Sequence, residues 1–235
     1  MKNIICVIPA RGGSKRIPGK NIKLFRNKPI ISWSIDVAKK SNIFSRIIVS
    51  SDDRDIIAVA NQCGAETPFI RPTELADDFS DTKSVIQHAI AMLKEMGEND
   101  LFICCLYATS PFTIVEDIRK AEKKIGEKKD TVVFPVTTYS YPIERALTIN
   151  SLGQANAKYG NNANKRSQDF EDNYHDAGQF YIAHEDRWLG NENIFQNSQP
   201  LIIPRWRVQD IDNIEDWKRA EIMHDVLTRQ GLLNN

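Results

Sequence analysis

Between Pro9 and Asn21 the chain places four cations, Arg11, Lys15, Arg16 and Lys20, around Gly12, Gly13, Ser14 and Gly19. A glycine pair removes side-chain bulk, so backbone N–H groups can come close to an anion. Four cations around that backbone suit a heavily charged ligand such as a nucleoside triphosphate. The spacing excludes two better-known phosphate loops. In G-x-x-x-x-G-K-[ST] four residues separate the glycines, whereas here five lie between Gly13 and Gly19, and Asn21 replaces the magnesium-binding hydroxyl residue. G-x-G-x-x-G is absent. The competing reading of the stretch is a basic surface turn after an edge strand. Near the other end lies a second constellation, Asp210-Ile-Asp212. In a strand, side chains at i and i+2 share a face, so the two carboxylates stand together as a hard oxygen site suited to Mg²⁺ that keeps most of its waters. By itself the pair also fits a polar turn before a helix. Combined with the basic loop, it supplies the complementary half of one reaction.

These residues need elements to hold them. The basic loop follows Ile4 to Ile8, an apolar, β-branched run short enough for a strand buried on both faces. A buried strand, a Gly- and Lys/Arg-rich loop and then a helix is where open α/β sheets bind phosphates. Pro29 opens a helix to about Lys40, with Ile31, Ile35 and Ala38 on one face. Arg46 to Ser50 is the next strand, ending in Ser51-Asp52-Asp53. There an aspartate is read as the cap of a helix with Ile56, Val59, Ala60 and Cys63, stopped by Gly64, in preference to a direct ligand contact. Thr67 to Arg71 reads as a short strand. Thr82 to Met96 is a helix striped by Val85, Ile86, Ala89, Ile90, Leu93 and Met96 and ended by Gly97, with His88 on its flank as a solvated or core-edge histidine.

Leu101 to Leu106 is an unbroken apolar strand, expected to be central. Thr113 and Glu116 form a capping box for a helix carrying Ile114, Ile118, Ala121 and Ile125, closed by Gly126. Thr131 to Thr137 is another strand. This repeated β-loop-α order argues for an α/β fold, a mostly parallel sheet with helices on both faces. The alternation breaks at residues 139–173, where Asn150, Asn156, Asn161, Asn162 and Asn164 mark a long irregular insertion. Tyr174 to Ile182 resumes as a strand. Asn213 caps a C-terminal helix whose inward face includes Trp217, Ala220, Met223 and Val226 or Leu227.

With 235 residues and 41 % apolar composition, one domain over 1–235 is expected. Lys plus Arg equals Asp plus Glu at 31 each, so no overall charge draws the chain to nucleic acid or to a membrane. Any anion site must be local. The apolar run after Asn3 is too short for a signal-peptide core, and no run reaches transmembrane length. Cys6, Cys63, Cys104 and Cys105 lack a C-x-x-C spacing and read as thiols of a cytoplasmic protein.

The loop P-A-R-G-G-S-K-R-I-P-G-K-N, with Ala10, Arg11, Gly12, Gly13, Ser14, Lys15, Lys20 and Asn21, resembles that of the sugar-activating cytidylyltransferases, the family of CMP-sialate and CMP-KDO synthetases. Further segments are similar in the family's order. Arg71-Pro-Thr-Glu-Leu-Ala-Asp-Asp78 resembles R-P-x-E-L-A-x-D. Tyr107-Ala-Thr-Ser-Pro111 resembles Q-P-T-S-P, with Tyr107 and Ala108 in place of Gln and Pro. Y-H-D-A-G-Q-F-Y from Tyr174, with Y-A-T-S-P-F, most resembles the branch that activates pseudaminic acid, a bacterial nonulosonate used on flagella and surface glycans.

The resemblance implies a Rossmann-like nucleotidyltransferase fold, with a β-rich excursion at about 139–173 for dimer contacts and closure over the sugar. It implies a homodimer, CTP and a nine-carbon 2-keto sugar acid as substrates, and Mg²⁺ as cofactor. Arg11, Lys15 and Arg16 are then expected on the phosphates, with N–H groups of Gly12 to Ser14 assisting beside Ala10. Lys20 stabilises charge near the α-phosphate and Asn21 positions it. Arg71 approaches the triphosphate or ribose, and Thr82 the nucleoside. Tyr107, His175, Asp176 and Gln179 face the sugar. Asp210 and Asp212 hold the metal, and one of them helps to deprotonate the attacking hydroxyl. The sequence identifies no cation for the sugar's own carboxylate beyond Arg166 as a candidate. Alternatives are a neuraminic, legionaminic or KDO acceptor, a metal-dependent glycosyltransferase using Asp210 and Asp212, and a non-catalytic nucleotide-binding protein.

Overall fold

The computed structural model describes residues 2–77, 80–160 and 166–233. The chain begins with β1 (Asn3–Pro9), the two-residue strands β2 (Leu24–Phe25) and β3 (Lys28–Pro29), and α1 (Ile30–Ser41). Next come β4 (Arg46–Ser50), α2 (Arg54–Gln62), α3 (Thr82–Glu95), β5 (Leu101–Leu106), α4 (Val115–Ile125) and β6 (Val132–Thr138). An exposed hairpin, β7 (Leu147–Ile149) with β8 (Ala155–Ala157), follows. The chain then returns through β9 (Tyr174–Asp176), β10 (Phe180–His184), α5 (Glu185–Leu189) and β11 (Ser198–Ile202) to α6 (Ile214–Arg229).

The main sheet runs β11-β6-β10-β5-β1-β4, with β9 also on β6. β1 lies parallel to β4 and β5, and β11 parallel to β6, while β9 and β10 run antiparallel to their neighbours. As a result the carboxyl ends of β1, β4, β5, β6 and β11 meet one edge, which is the edge where open α/β sheets bind ligands. Every strand residue of β5 is buried, as its unbroken apolar run requires.

Alternation along the strands divides the core into two layers. Cys104 packs with Ile31, Ile35, Ile118 and Ile125 under α1 and α4, whereas Cys105 packs with Ile86, Ile90 and Leu93 under α3. A third cluster joins α6 to the start of the chain, with Trp217 against Phe25, Ile30 and Phe112. The inward face of α6 is Trp217, Ala220, His224 and Leu227, which settles on Leu227 because Val226 is exposed. Cys6, Cys104 and Cys105 are buried thiols, and Cys63 is half-buried.

Four local expectations are corrected. Thr67 to Arg71 forms no strand; Glu66 alone bridges Ile48, because Pro68 and Pro72 have no N–H to extend a ladder. The expected strand from Tyr174 is split, with Gly178 at φ 62° separating β9 from β10. The Thr113–Glu116 capping box does not form: α4 has Ile114 at its N-cap and no side-chain cap, and the Thr113 hydroxyl turns to Gln179. Asp210 and Asp212 sit on an extended loop after the short turn Arg205–Arg207, not in a strand. Asn161, Asn162, Asn164 and Asp78 lie outside the described residues.

Candidate active site

The basic loop leaves the sheet between β1 and β4, where Ala10 N–H donates to the Ser50 carbonyl at 3.0 Å. Asp52 accepts the Gly12 N–H at 3.0 Å. A Cβ at Gly12 would stand 2.5 Å from Asp53 Oδ2, so the close approach of the β4–α2 turn demands glycine there. The two aspartates thus divide the work. Asp53 caps α2 by accepting from Asp55 N at 2.8 Å and Ile56 N at 3.2 Å, and Asp52 anchors the loop. Buried Asn21 donates to the Arg11 carbonyl at 2.9 Å, closing the loop on itself.

Opposite ends of the chain meet over this loop. Lys20 Nζ donates to the Ile211 carbonyl at 2.7 Å and lies 4.0 Å from Asp212 Oδ1, while Arg16 donates to the same oxygen at 2.9 Å. Burial lowers the Lys20 pKa, against the opposing pull of Asp212 and Asp210. Burial raises the Asp210 pKa, and the like charge of Asp212 raises it further.

The carboxylate loop is fixed from beneath. Arg207 and Asp117 form a buried ion pair, with a second bond at 3.2 Å. The Arg207 carbonyl accepts from Gln179 Nε2 at 2.8 Å, and Gln179 Oε1 accepts from Thr113 at 3.3 Å. Ile211 is fully buried, and Asn213 and Asp216 form a capping box at the start of α6. Gln179, expected at the sugar, is therefore a buried support that lines neither cleft described below. The Asp117–Arg207 pair escaped sequence reasoning. An acid next to Ile118 on a buried helical stripe was the available signal, but its partner lies ninety positions away.

Two clefts share one wall at the sheet edge. The smaller, about 270 Å³, is bounded by Arg11, Ser14, Lys20 and Asn21 on the loop side and by Arg71 and Thr82 opposite. Arg71 is buried and donates to Ser50 Oγ at 3.2 Å and to the Ser50 carbonyl. Burial pushes its pKa down to about 10, so it remains a cation at neutral pH. Arg11 donates to the Asp77 carbonyl. Lys15, Arg16 and Gly13 are exposed and do not line this cleft, and Ala10 is buried beneath it. The larger cleft, about 570 Å³, is bounded by Thr137, His175, Asp176, Arg205 and Arg219.

Tyr107 and Asp210 line both clefts. The Tyr107 hydroxyl lies 3.1 Å from Thr82 Oγ1, and its ring meets Tyr181 edge-on at 5.8 Å. Tyr181 in turn donates to the Asp176 carboxylate. Burial pushes the Tyr107 pKa up to about 12 and raises that of Tyr181 as well, so both stay neutral donors. Arg166 is exposed and lines neither cleft.

Of the two carboxylates expected to hold a divalent cation, Asp210 lines both clefts, whereas Asp212 lines neither and is paired with Arg16 and Lys20. Among the described residues no group of three or more His, Cys, Asp or Glu side chains forms a metal cage. Two carboxylates completed by phosphate oxygens and water are a donor set that suits Mg²⁺. Such a cation would also relieve the like-charge repulsion at Asp210.

A cationic loop facing Asp210 across a cleft, at the carboxyl edge of a mostly parallel sheet, fits the architecture of a nucleotidyltransferase. The family model described as cytidylyltransferase matches residues 5–223, and the chain belongs to that family. It is 42% identical to a pseudaminic acid cytidylyltransferase of Campylobacter jejuni, over 96% of this chain and 97% of that protein. It is 41% identical to a CMP-N,N'-diacetyllegionaminic acid synthase of Legionella pneumophila, over 57% of this chain and 59% of that protein. Among solved structures, a CMP:2-keto-3-deoxy-manno-octonic acid synthetase complexed with CTP superimposes with a TM-score of 0.70 at 16% identity, covering 96% of this chain and 99% of that one. The last likeness concerns the fold.

Proposed function

We propose that the protein transfers the cytidylyl group of CTP to a nonulosonic acid, with pseudaminic acid as the preferred acceptor, releasing pyrophosphate. The carrying observation is that Arg11 and Lys20, on the loop after β1, and Asp210, just before α6, line one cleft, with Lys20 bonded to the neighbouring Ile211 carbonyl. The triphosphate binds there, held by Arg11, Lys20 and Arg71, because the Gly12 and Ser14 N–H groups expected to assist are already donated to Asp52 and to the Gly12 carbonyl; Arg16 and Lys15 approach from its open side. The sugar acid binds in the larger cleft against His175 and Asp176. The reacting atoms meet at the shared wall formed by Tyr107 and Asp210.

The anomeric hydroxyl attacks the α-phosphorus and pyrophosphate departs. Lys20 stabilises charge developing on the α-phosphoryl oxygens, and fixed charges of this kind carry most of the catalysis in phosphoryl-type transfer. Asp210, with its raised pKa, accepts the hydroxyl proton directly or through water. Mg²⁺ held by Asp210 and Asp212 would neutralise phosphate charge. The acceptor assignment follows the Campylobacter jejuni relative; a legionaminic acid acceptor is the second reading, favoured by the match to the Legionella pneumophila synthase. We further place the enzyme in the cytoplasm, as one domain that pairs with a second copy. Leu147, Ile149 and Leu152, 65 to 80% exposed around the β7–β8 hairpin, support that pairing.

The test is incubation with CTP, Mg²⁺ and a panel of pseudaminic, legionaminic, neuraminic and KDO acids, following pyrophosphate and the CMP-sugar by mass. Pseudaminic acid should give the highest kcat/KM, and Asp210→Asn should stay folded while losing turnover by roughly 10²–10⁴-fold. Absence of pyrophosphate with every acid would refute the reading.

A further inference from the structure

We infer that Arg219, on the second turn of α6, binds the carboxylate of the sugar acid and makes the enzyme select a 2-keto acid over an uncharged ketose. The inference rests on the proposed transfer reaction. The larger cleft carries two carboxylates of its own, Asp176 and Asp210, so an anionic substrate entering it meets repulsion unless cations stand in the same wall. The lysines and arginines lining it are Arg205 and Arg219.

Arg207, Arg71 and Arg16 do not line this cleft, and Arg205 already donates to the Tyr139 carbonyl at 3.1 Å. Arg219 has no hydrogen-bond or ion-pair partner among the described residues, and it is exposed into the cleft that Asp210 also lines.

The chemistry of the acceptor makes that proximity meaningful. In a 2-keto sugar acid the carboxylate is bonded directly to the anomeric carbon, whose hydroxyl is the nucleophile. Whatever binds the carboxylate must therefore stand beside whatever activates the hydroxyl. Asp210 and Arg219 lie on one continuous segment, the loop and the first turns of α6, and face one cleft. A guanidinium is also the better cation for the task, because its planar fork matches both carboxylate oxygens at once.

The substitution is benign for the fold. Arg219 is exposed, and the core contacts of α6 are made by Trp217, Ala220, His224 and Leu227. The experiment measures steady-state constants of the wild type, Arg219→Gln and Arg219→Lys, with whichever acid of the panel is turned over fastest and with its C1 carboxamide. In Arg219→Gln the KM for the acid should rise roughly ten- to a hundredfold, the loss expected for one charge-assisted bond, with the CTP KM within about twofold. The wild-type preference for the acid over the carboxamide should collapse in Arg219→Gln and recover in part in Arg219→Lys. An unchanged acid KM, or a preference that survives the substitution, overturns the inference while leaving the transferase reading intact. A wild-type enzyme inactive on every acid overturns that reading, and this inference with it.

Discussion

Lys20 touches both halves of the site, since its ammonium holds the Ile211 carbonyl while lining the cleft assigned to the triphosphate. Its role is in the transition state, where charge grows on the α-phosphoryl oxygens. Lys20→Ala should therefore lower kcat by about 10²–10³-fold, in the range of a lost charge-stabilising donor. CTP affinity measured by calorimetry should fall far less, because Arg11 and Arg71 remain. Equal losses in both would contradict the assignment. At this scale the sequence was most legible where residue types were unusual together: four cations among glycines, and an aspartate pair. It was least legible where a polar residue serves a distant partner. Gln179 carried the chemistry of a sugar ligand, yet its two polar ends are consumed by Thr113 and the Arg207 carbonyl.

The loop that carries the acids is no strand, and its rigidity comes from what lies below it. Asp117 on α4 and Arg207 beside the loop are both buried, so removing one partner strands the other charge. Arg207→Met should cost about 3–5 kcal/mol of unfolding free energy, whereas Arg207→Met with Asp117→Leu should recover most of it. Urea unfolding of the single and double variants measures this. A single variant as stable as the wild type would refute a supporting role for the pair.

A second dependence belongs to α6. His224 is buried beside Phe25, Trp33 and Phe112, with its Nε2 unpartnered, and burial pushes its pKa down to about 4. A histidine with a depressed folded pKa is neutral in the native state and binds its proton more readily once unfolded. Its contribution is present in full above the unfolded pKa near 6.5 and is lost as pH falls toward about 4. The loss is on the order of 2 kcal/mol. His224→Phe should flatten the fall of Tm in that window, and a variant with the wild-type slope would exclude His224 as its cause. The helical stripe of α6 was readable from periodicity, but the histidine within it was not singled out, because nothing local distinguishes a buried imidazole from a solvated one.

Across the whole molecule, the fold was readable because its alternation is regular as far as β6, and each loop at the carboxyl edge carries polar types that a buried strand would not. From its own residues the irregular stretch after β6 was legible only as an interruption, and its β character was legible through the family resemblance. What occupies it, the β7–β8 hairpin, presents Leu147 and Ile149 to solvent. If a second copy covers that surface, the protein should run as a dimer in light scattering, and Leu147→Asp with Ile149→Lys should shift it to monomer. A wild-type monomer at all concentrations would exclude the pairing.

The account stands on one geometric claim, that the first loop and the segment before the last helix face each other across a single bound CTP. A crystal structure of the protein with CTP and Mg²⁺ measures this directly. The account predicts triphosphate density between Lys20 and Arg11 on one side and Asp210 and Asp212 on the other, with the metal on the acid side. Nucleotide density elsewhere on the molecule, with this cleft holding only solvent, would contradict it.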